Sequence, residues 1–192
     1  SGLPPRPAQP MLTPFGSPDS PIDCGALHAH FQAKVSLTDR TITGAEALMR
    51  WRHPKRGLIS PAEFIPLAEE TEAIVTMGEW ALRTACRDAA AGRIPGTVAV
   101  NLSPVQFGRE DLAETIHAIL LENGLSPRRL EVEVTESTVM SDQSRGLHIL
   151  RKLKSMGISV AMDDFGTGHS SLATLHAFPF DKIKLDQSFV KR

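Results

Sequence analysis

Six side chains define the chemistry open to this chain: Glu46, Asn101, Glu133, Asp163, Asp164 and Lys184. Each stands at the end of a stretch that reads as a strand. Four carboxylates and one amide converging would form a hard-oxygen cage, suited to Mg²⁺ or Mn²⁺ rather than zinc. Two ions sharing Asp163 would match the two-metal arrangement for displacement at phosphorus. Arg50 lies four residues past Glu46 on the same strand face, about 13 Å along at ~3.3 Å per residue, and its planar guanidinium suits a phosphate. Lys184, beside the metals, would have its pKa lowered enough to orient or deprotonate a water.

Asp163 and Asp164 are adjacent in Ser159-Val-Ala-Met-Asp-Asp-Phe-Gly-Thr-Gly168. Neighbours in a strand point to opposite faces. Both serve one site only if Asp163 is the last inward strand residue and Asp164 already sits in the loop. The competing reading is a strand end followed by an Asp-Gly turn. Any single acid at a strand end is more often solvated or structural, and Lys184 would then be an ion-pair partner of Asp163 or Asp186. The recurrence of such residues at five strand ends favours the site.

The elements that must hold these residues follow a strand–helix rhythm. His28–Val35 and Thr43–Trp51 read as a strand pair across a turn at Thr38-Asp39-Arg40. Ser60 opens a helix with Pro61 at its first position and Glu63 completing a capping box. A second helix covers about 75–91 and stops at Gly92. Thr97–Asn101 is a strand, 111–123 a helix stopped by Gly124, Leu130–Val134 a strand, and 143–156 a helix stopped by Gly157. Ser159–Met162, a helix over 170–177, and a strand over 182–185 complete the order. Parallel strands with helical crossovers are implied. Short strands each followed by a helix, with no GxGxxG, favour a β/α barrel over a dinucleotide-binding sheet. Leu130-Glu-Val-Glu-Val-Thr135 and Lys182-Ile-Lys-Leu-Asp186 alternate, whereas a strand covered on both faces reads as continuous apolar sequence. Their polar faces therefore line a site, at the carboxyl ends of the strands.

The totals agree with one soluble-type domain. The chain has 192 residues, 41% hydrophobic and 22% charged, with net charge −1. No basic field invites duplex nucleic acid, and no apolar run approaches the roughly 20 residues that span a bilayer. Cys24 and Cys86 form no CxxC, so neither a disulfide framework nor a zinc knuckle is expected. Residues 1–22, rich in Pro, Ser and Gly, read as a linker or disordered arm. His28 and His30 alternate on one strand, and a surface or core role is expected of them. Gly166 and Gly168 read as turn residues.

The same residues spell a known signature. Glu46-Ala-Leu48, within GAEALMRWRHP, is followed in order by SPAEFIPLAEET, GEWAL, NLSPVQF, LEVEVTES, DDFGTG, FPFDKIKLD and QSFV. Residues 28–192 thus resemble the EAL domains, which hydrolyse the bacterial second messenger cyclic di-GMP to linear pGpG. The resemblance implies a TIM-type β/α barrel whose first strand runs antiparallel to the rest, here over 23–192. It implies that Glu46, Asn101, Glu133 and Asp163 bind one Mg²⁺ or Mn²⁺ ion and Asp163 with Asp164 the second. Lys184 would orient the attacking water, and Gln32, Leu48 and Arg50 would contact substrate. Glu136 would hold the loop after Asp164, which couples metal binding to dimerisation. Cytoplasmic action, a homodimer, and a GGDEF or sensory domain in a longer parent are further implications, with no membrane segment in this chain.

The sequence departs from the family at four places. Ala33 stands for the usual Pro, His169 for Tyr, and Glu72 for a common Gly. The family also continues for two more strands, which carry a further glutamate ligand and a substrate-contacting glutamine. The expected barrel is therefore incomplete, with about six strands. Two alternatives stay open: an impaired module that binds cyclic di-GMP or a protein partner without turnover, and, leaving the resemblance aside, an enolase-like barrel with a lysine base.

Overall fold

The structure, a computed structural model, describes residues 25–165 and 178–185. The expected arm over 1–22, the helix over 170–177, the glycines 166 and 168, His169, Asp186 and the QSFV segment lie outside the described residues.

Strand β1 (Leu27–Val35) pairs antiparallel with β2 (Ile42–His53), as the turn between them requires. From β2 the sheet proceeds through β4 (Thr97–Asn101), β5 (Leu130–Thr135), β6 (Ser159–Phe165) and β7 (Lys182–Leu185), every pair parallel. The path β1-β2-β4-β5-β6-β7 matches the six strands expected. A three-residue strand β3 (Gly57–Ile59), too short for a periodicity to show, pairs antiparallel with the end of β2.

Helices occupy the crossovers. They are α1 (Pro61–Glu70), α2 (Ala73–Ala90), α3 (Pro104–Phe107), α4 (Leu112–Asn123), α5 (Glu136–Ser141) and α6 (Gln143–Ser155). The short α3 and α5 were not expected; at four and six residues they carry no readable face. Gly124 ends α4 at φ +63°, in the left-handed region that glycine enters without steric cost. Ser60 precedes α1, but its side chain caps nothing. The expected capping box is absent because Glu63 instead pairs with Arg56 at 2.6 Å. A closed box does form at Ser103: its hydroxyl accepts from the Gln106 amide, and the Gln106 side chain accepts from the Ser103 amide.

Alternation in the strands divides the residues between two faces. Val98, Val100, Leu130, Val132, Val134 and Val160 point outward and pack under the helices, against Leu82, Cys86, Ile116, Leu120, Leu150 and Leu153. A smaller cluster around Trp51, Ile59, Phe64 and Met77 seals the β2–β3–α1 corner, where the rings of Trp51 and Phe64 meet edge to face at 5.9 Å. The inward face is different. In register across the parallel strands it carries Glu46, Ala99 and Glu131; then Asn101, Glu133 and Ala161; then Thr135 and Asp163. Acids and small residues thus share the concave side, which is what opens a site there.

Candidate active site

The parallel register brings Glu46, in the first half of β2, beside the carboxyl ends of β4, β5, β6 and β7. Lys184 lies at the centre. Its Nζ donates to Glu133 Oε2 at 2.6 Å, Asp163 Oδ2 at 2.9 Å and Glu46 Oε2 at 3.2 Å. Asn101 donates its side-chain amide to Glu46 Oε1 at 2.8 Å, which leaves its carbonyl oxygen as an acceptor. Glu46, Glu133 and Asp163 place ligating oxygens within 4.8 Å of one another. Three carboxylates and an amide, all hard oxygen donors, fit a divalent cation of the Mg²⁺ or Mn²⁺ kind.

The surrounding acids set the charge on Lys184. Burial works against the Lys184 charge, but its hydrogen bonds to Asp163 and Glu133, and the charges of Glu133 and Glu46, outweigh burial and hold the ammonium above its ordinary pKa. The acids alone make Lys184 a protonated donor, whereas the lowering expected from sequence is that of a lysine beside two bound cations. Burial pushes the Glu133 carboxyl up, aided by Glu46 and opposed by Lys184 and Lys34. The geometry, with two ammonium groups at 2.6 Å, is built for its charged form.

Asp164 corrects an expectation. It lies within β6 rather than in the following loop. Between Met162↔Ile183 and Phe165↔Leu185 the β6 strand advances three residues while β7 advances two. The extra residue makes a β-bulge, and Asp164 sits there at φ +55° with its amide donating to Asp163 Oδ1 at 2.9 Å. A bulge breaks the strict alternation of faces and re-aims a side chain. Asp164 is exposed at this bulge, while the carboxylates that converge are those of Glu46, Glu133 and Asp163.

Of the remaining sequence-predicted residues, Gln32, Leu48 and Arg50 lie near Glu46. Gln32 is the register partner of Glu46 across β1–β2, so its side chain leaves the same face. Leu48 and Arg50 line a cavity of about 300 Å³ together with Ile65, Asn101, Ser103 and Glu133. Arg50 Nη1 donates to the Met49 carbonyl at 2.8 Å, which turns the guanidinium along the strand. Glu136 opens α5 and is buried; most of the loop it was expected to hold falls outside the described residues. His28 and His30 are exposed on β1, as expected of surface residues.

Three charged residues were not singled out from sequence. Lys34 bridges Glu131 Oε1 and Glu133 Oε1, both at 2.6 Å. Lys182 donates to the other oxygen of Glu131. Burial raises the Glu131 pKa, but the two lysines outweigh it and hold the carboxyl low. A signal was present: His28, His30, Gln32 and Lys34 recur at every second position and mark one polar face of β1.

The family model described as EAL domain matches residues 21–192. The chain belongs to the EAL domain family. It is 53% identical over 165 residues to an uncharacterized signaling protein of Caulobacter vibrioides, covering 86% of this chain and 20% of the relative. It is 44% identical over 165 residues to the bifunctional diguanylate cyclase/cyclic di-GMP phosphodiesterase MucR of Pseudomonas aeruginosa, covering 84% of this chain and 24% of that protein. The chain therefore spans about a quarter or less of these curated relatives. The solved PaMucR phosphodiesterase in complex with c-di-GMP superposes with a TM-score of 0.84 at 42% identity, over 88% of this chain and 70% of that one. The architecture is thus the α/β TIM-type barrel of EAL domains, of which this chain covers part. Among the described residues, no helix is long and apolar enough to cross a membrane.

Proposed function

We propose that this EAL domain is the catalytic unit of a metal-dependent cyclic di-GMP phosphodiesterase, hydrolysing the cyclic dinucleotide to linear pGpG. The observation that carries the reading is the convergence of Glu46, Glu133 and Asp163, from three strands, on one point with Lys184 beside them. The names of MucR and of its c-di-GMP complex support the substrate.

Glu46, Asn101, Glu133 and Asp163 would hold one divalent ion, and Asp163 with Asp164 the second. Bound there, Mg²⁺ or Mn²⁺ would neutralise charge on the phosphate and raise the acidity of a water. Lys184, as an ammonium, orients that water by donating to its oxygen and stabilises the charge that develops at phosphorus. Arg50, which lines the cavity, and Gln32, opposite Glu46 on β1, would contact the substrate phosphate, and Leu48 would pack beside the dinucleotide. The water oxygen adds to phosphorus as the P–O3′ bond breaks, and the proton the water gives up balances the one that the departing 3′-oxygen takes from solvent. Glu136 would carry the state of the Asp164 segment toward a homodimer. A cytoplasmic setting alongside a GGDEF or sensory module is part of the same reading, supported by the bifunctional name of MucR.

The test is conversion of cyclic di-GMP by the purified chain with Mn²⁺, Mg²⁺ or Ca²⁺, run beside Glu46→Ala. Turnover with Mn²⁺ or Mg²⁺, absent with Ca²⁺ and reduced at least about 100-fold in Glu46→Ala, is expected. A folded chain that binds the dinucleotide without cleaving it would make it a binding module. Full turnover by Glu46→Ala would end the metal assignment.

A further inference from the structure

Beneath the acid cluster lies a second layer of charge, and its geometry reaches into the site. β1 and β5 are three places apart in the sheet, about 14 Å on a flat surface at ~4.8 Å per strand. Lys34 nevertheless contacts Glu131 and Glu133 directly. The curvature of the sheet closes that distance. The small inward residues Gly44, Ala99 and Ala161, all buried, leave room for the long side chains.

A buried carboxylate must have both oxygens satisfied. Glu133 is 1% exposed, with Oε1 on Lys34 and Oε2 on Lys184. The two partners are not equivalent. Lys184 is shared among three carboxylates and cannot by itself fix the plane of any one of them. Lys34 lies outside the acid cluster, and it is anchored from below by Glu131, which is 0% exposed and held in turn by Lys182. The chain Lys182–Glu131–Lys34–Glu133 therefore runs from the barrel floor to a single oxygen of a proposed ligand. We propose that Lys34 is a positioning residue for the metal site: it ties down Glu133 Oε1 so that Oε2 is the oxygen presented to the cluster. This rests on the metal reading given above.

Calorimetric Mn²⁺ titration of the wild-type chain, Lys34→Met, Lys34→Arg and Lys182→Met tests it, with thermal melts and cyclic di-GMP kinetics on the same samples. Lys34→Met weakens Mn²⁺ binding by about tenfold or more, the usual effect of removing a partner that orients a ligand. Lys34→Arg recovers most of that loss. Lys182→Met, which acts on Glu133 only through Glu131 and Lys34, weakens Mn²⁺ binding clearly less than Lys34→Met does. At saturating Mn²⁺, Lys34→Met lowers kcat with KM for cyclic di-GMP unchanged. Unchanged affinity in Lys34→Met overturns the proposal. So does equal weakening in Lys34→Met and Lys182→Met, which marks a merely structural interior. So does failure of Lys34→Met to fold where Lys182→Met folds. A wild-type chain that binds no Mn²⁺ would instead end the metal reading itself, and this proposal with it.

Discussion

Asn101, at the end of β4, donates its side-chain amide to Glu46 of the neighbouring β2 strand at 2.8 Å. The bond leaves one carboxylate fewer in the cluster than the strand ends could supply, and it fixes which way the amide faces. Asn101→Asp replaces a donor by a like charge at hydrogen-bond distance. The loss of a hydrogen bond to a charged group costs about 2 kcal/mol, so the metal-free variant should melt several degrees below wild type, at roughly 2–4 °C per kcal/mol for a chain of this size. Added Mn²⁺ should close the gap, because a cation converts the repulsion into coordination. Melting curves with and without Mn²⁺ decide it: a deficit that persists at saturating Mn²⁺ would show that no cation sits between the two carboxylates.

Two stretches of similar sequence show where sequence reading reaches its limit. Ser60-Pro-Ala-Glu63 and Ser103-Pro-Val-Gln106 both carry the spacing of a capping box. Only the second closes, because Arg56 from the preceding turn takes Glu63. That competition is tertiary and cannot be seen in the four residues themselves. Ser103→Ala should therefore cost about 1 kcal/mol, while Ser60→Ala stays within about 0.5 kcal/mol. Urea denaturation of the two variants provides the comparison, and equal losses would refute the assignment of the closed box.

The same distinction governs the site. Glu46, Glu133 and Asp163 were legible because a charged residue in an alternating, otherwise apolar strand demands a reason, and parallel register puts them on one inward face in successive rows. Lys34 was not legible as a partner of Glu133, because the contact depends on how sharply the sheet curves between β1 and β5. Nor was the conformation of Asp164, since an extra residue in β6 shows only once β7 is aligned beside it. The raised pKa of Lys184 follows from the count of acids around it, which the sequence supplied, at distances that it did not.

Glu72 occupies the position where EAL domains commonly have glycine, and the backbone there explains the preference. It follows the end of α1 at φ +58°, its amide donating to the Glu69 carbonyl at 3.1 Å. A residue with a Cβ in the left-handed region costs roughly 1–2 kcal/mol. Glu72→Gly removes that strain and returns part of the gain as unfolded-state entropy. A net stabilisation of about 1 kcal/mol is expected, raising Tm by roughly 2–4 °C, with kinetics unchanged because Glu72 is exposed and absent from the cavity lining. A lower Tm in differential scanning calorimetry would contradict the strain argument.

Asp181 ties the start of β7 to β6 through three contacts. Its amide donates to the Val160 carbonyl, one carboxylate oxygen accepts from the Val160 amide, both at 2.8 Å, and the other accepts from Lys154. Burial pushes the carboxyl up, but Lys154 and the Val160 amide outweigh it and hold the pKa below its ordinary value. A carboxyl depressed in the folded state contributes stability that is complete above its unfolded pKa, near 3.9, and is lost as pH falls through the folded value. Asp181→Asn keeps an acceptor for the Val160 amide, removes the charge and replaces the oxygen that accepts from Lys154 by an NH₂ donor. The variant should melt on the order of 2 °C below wild type at pH 7, the scale of a partly exposed ion pair, and the two curves should converge as the pH drops below about 4. Parallel melts from pH 7 to pH 3 follow the difference. A gap that stays constant, or widens toward acid, would mean that Asp181 holds β7 by shape and hydrogen bonding rather than by its charge.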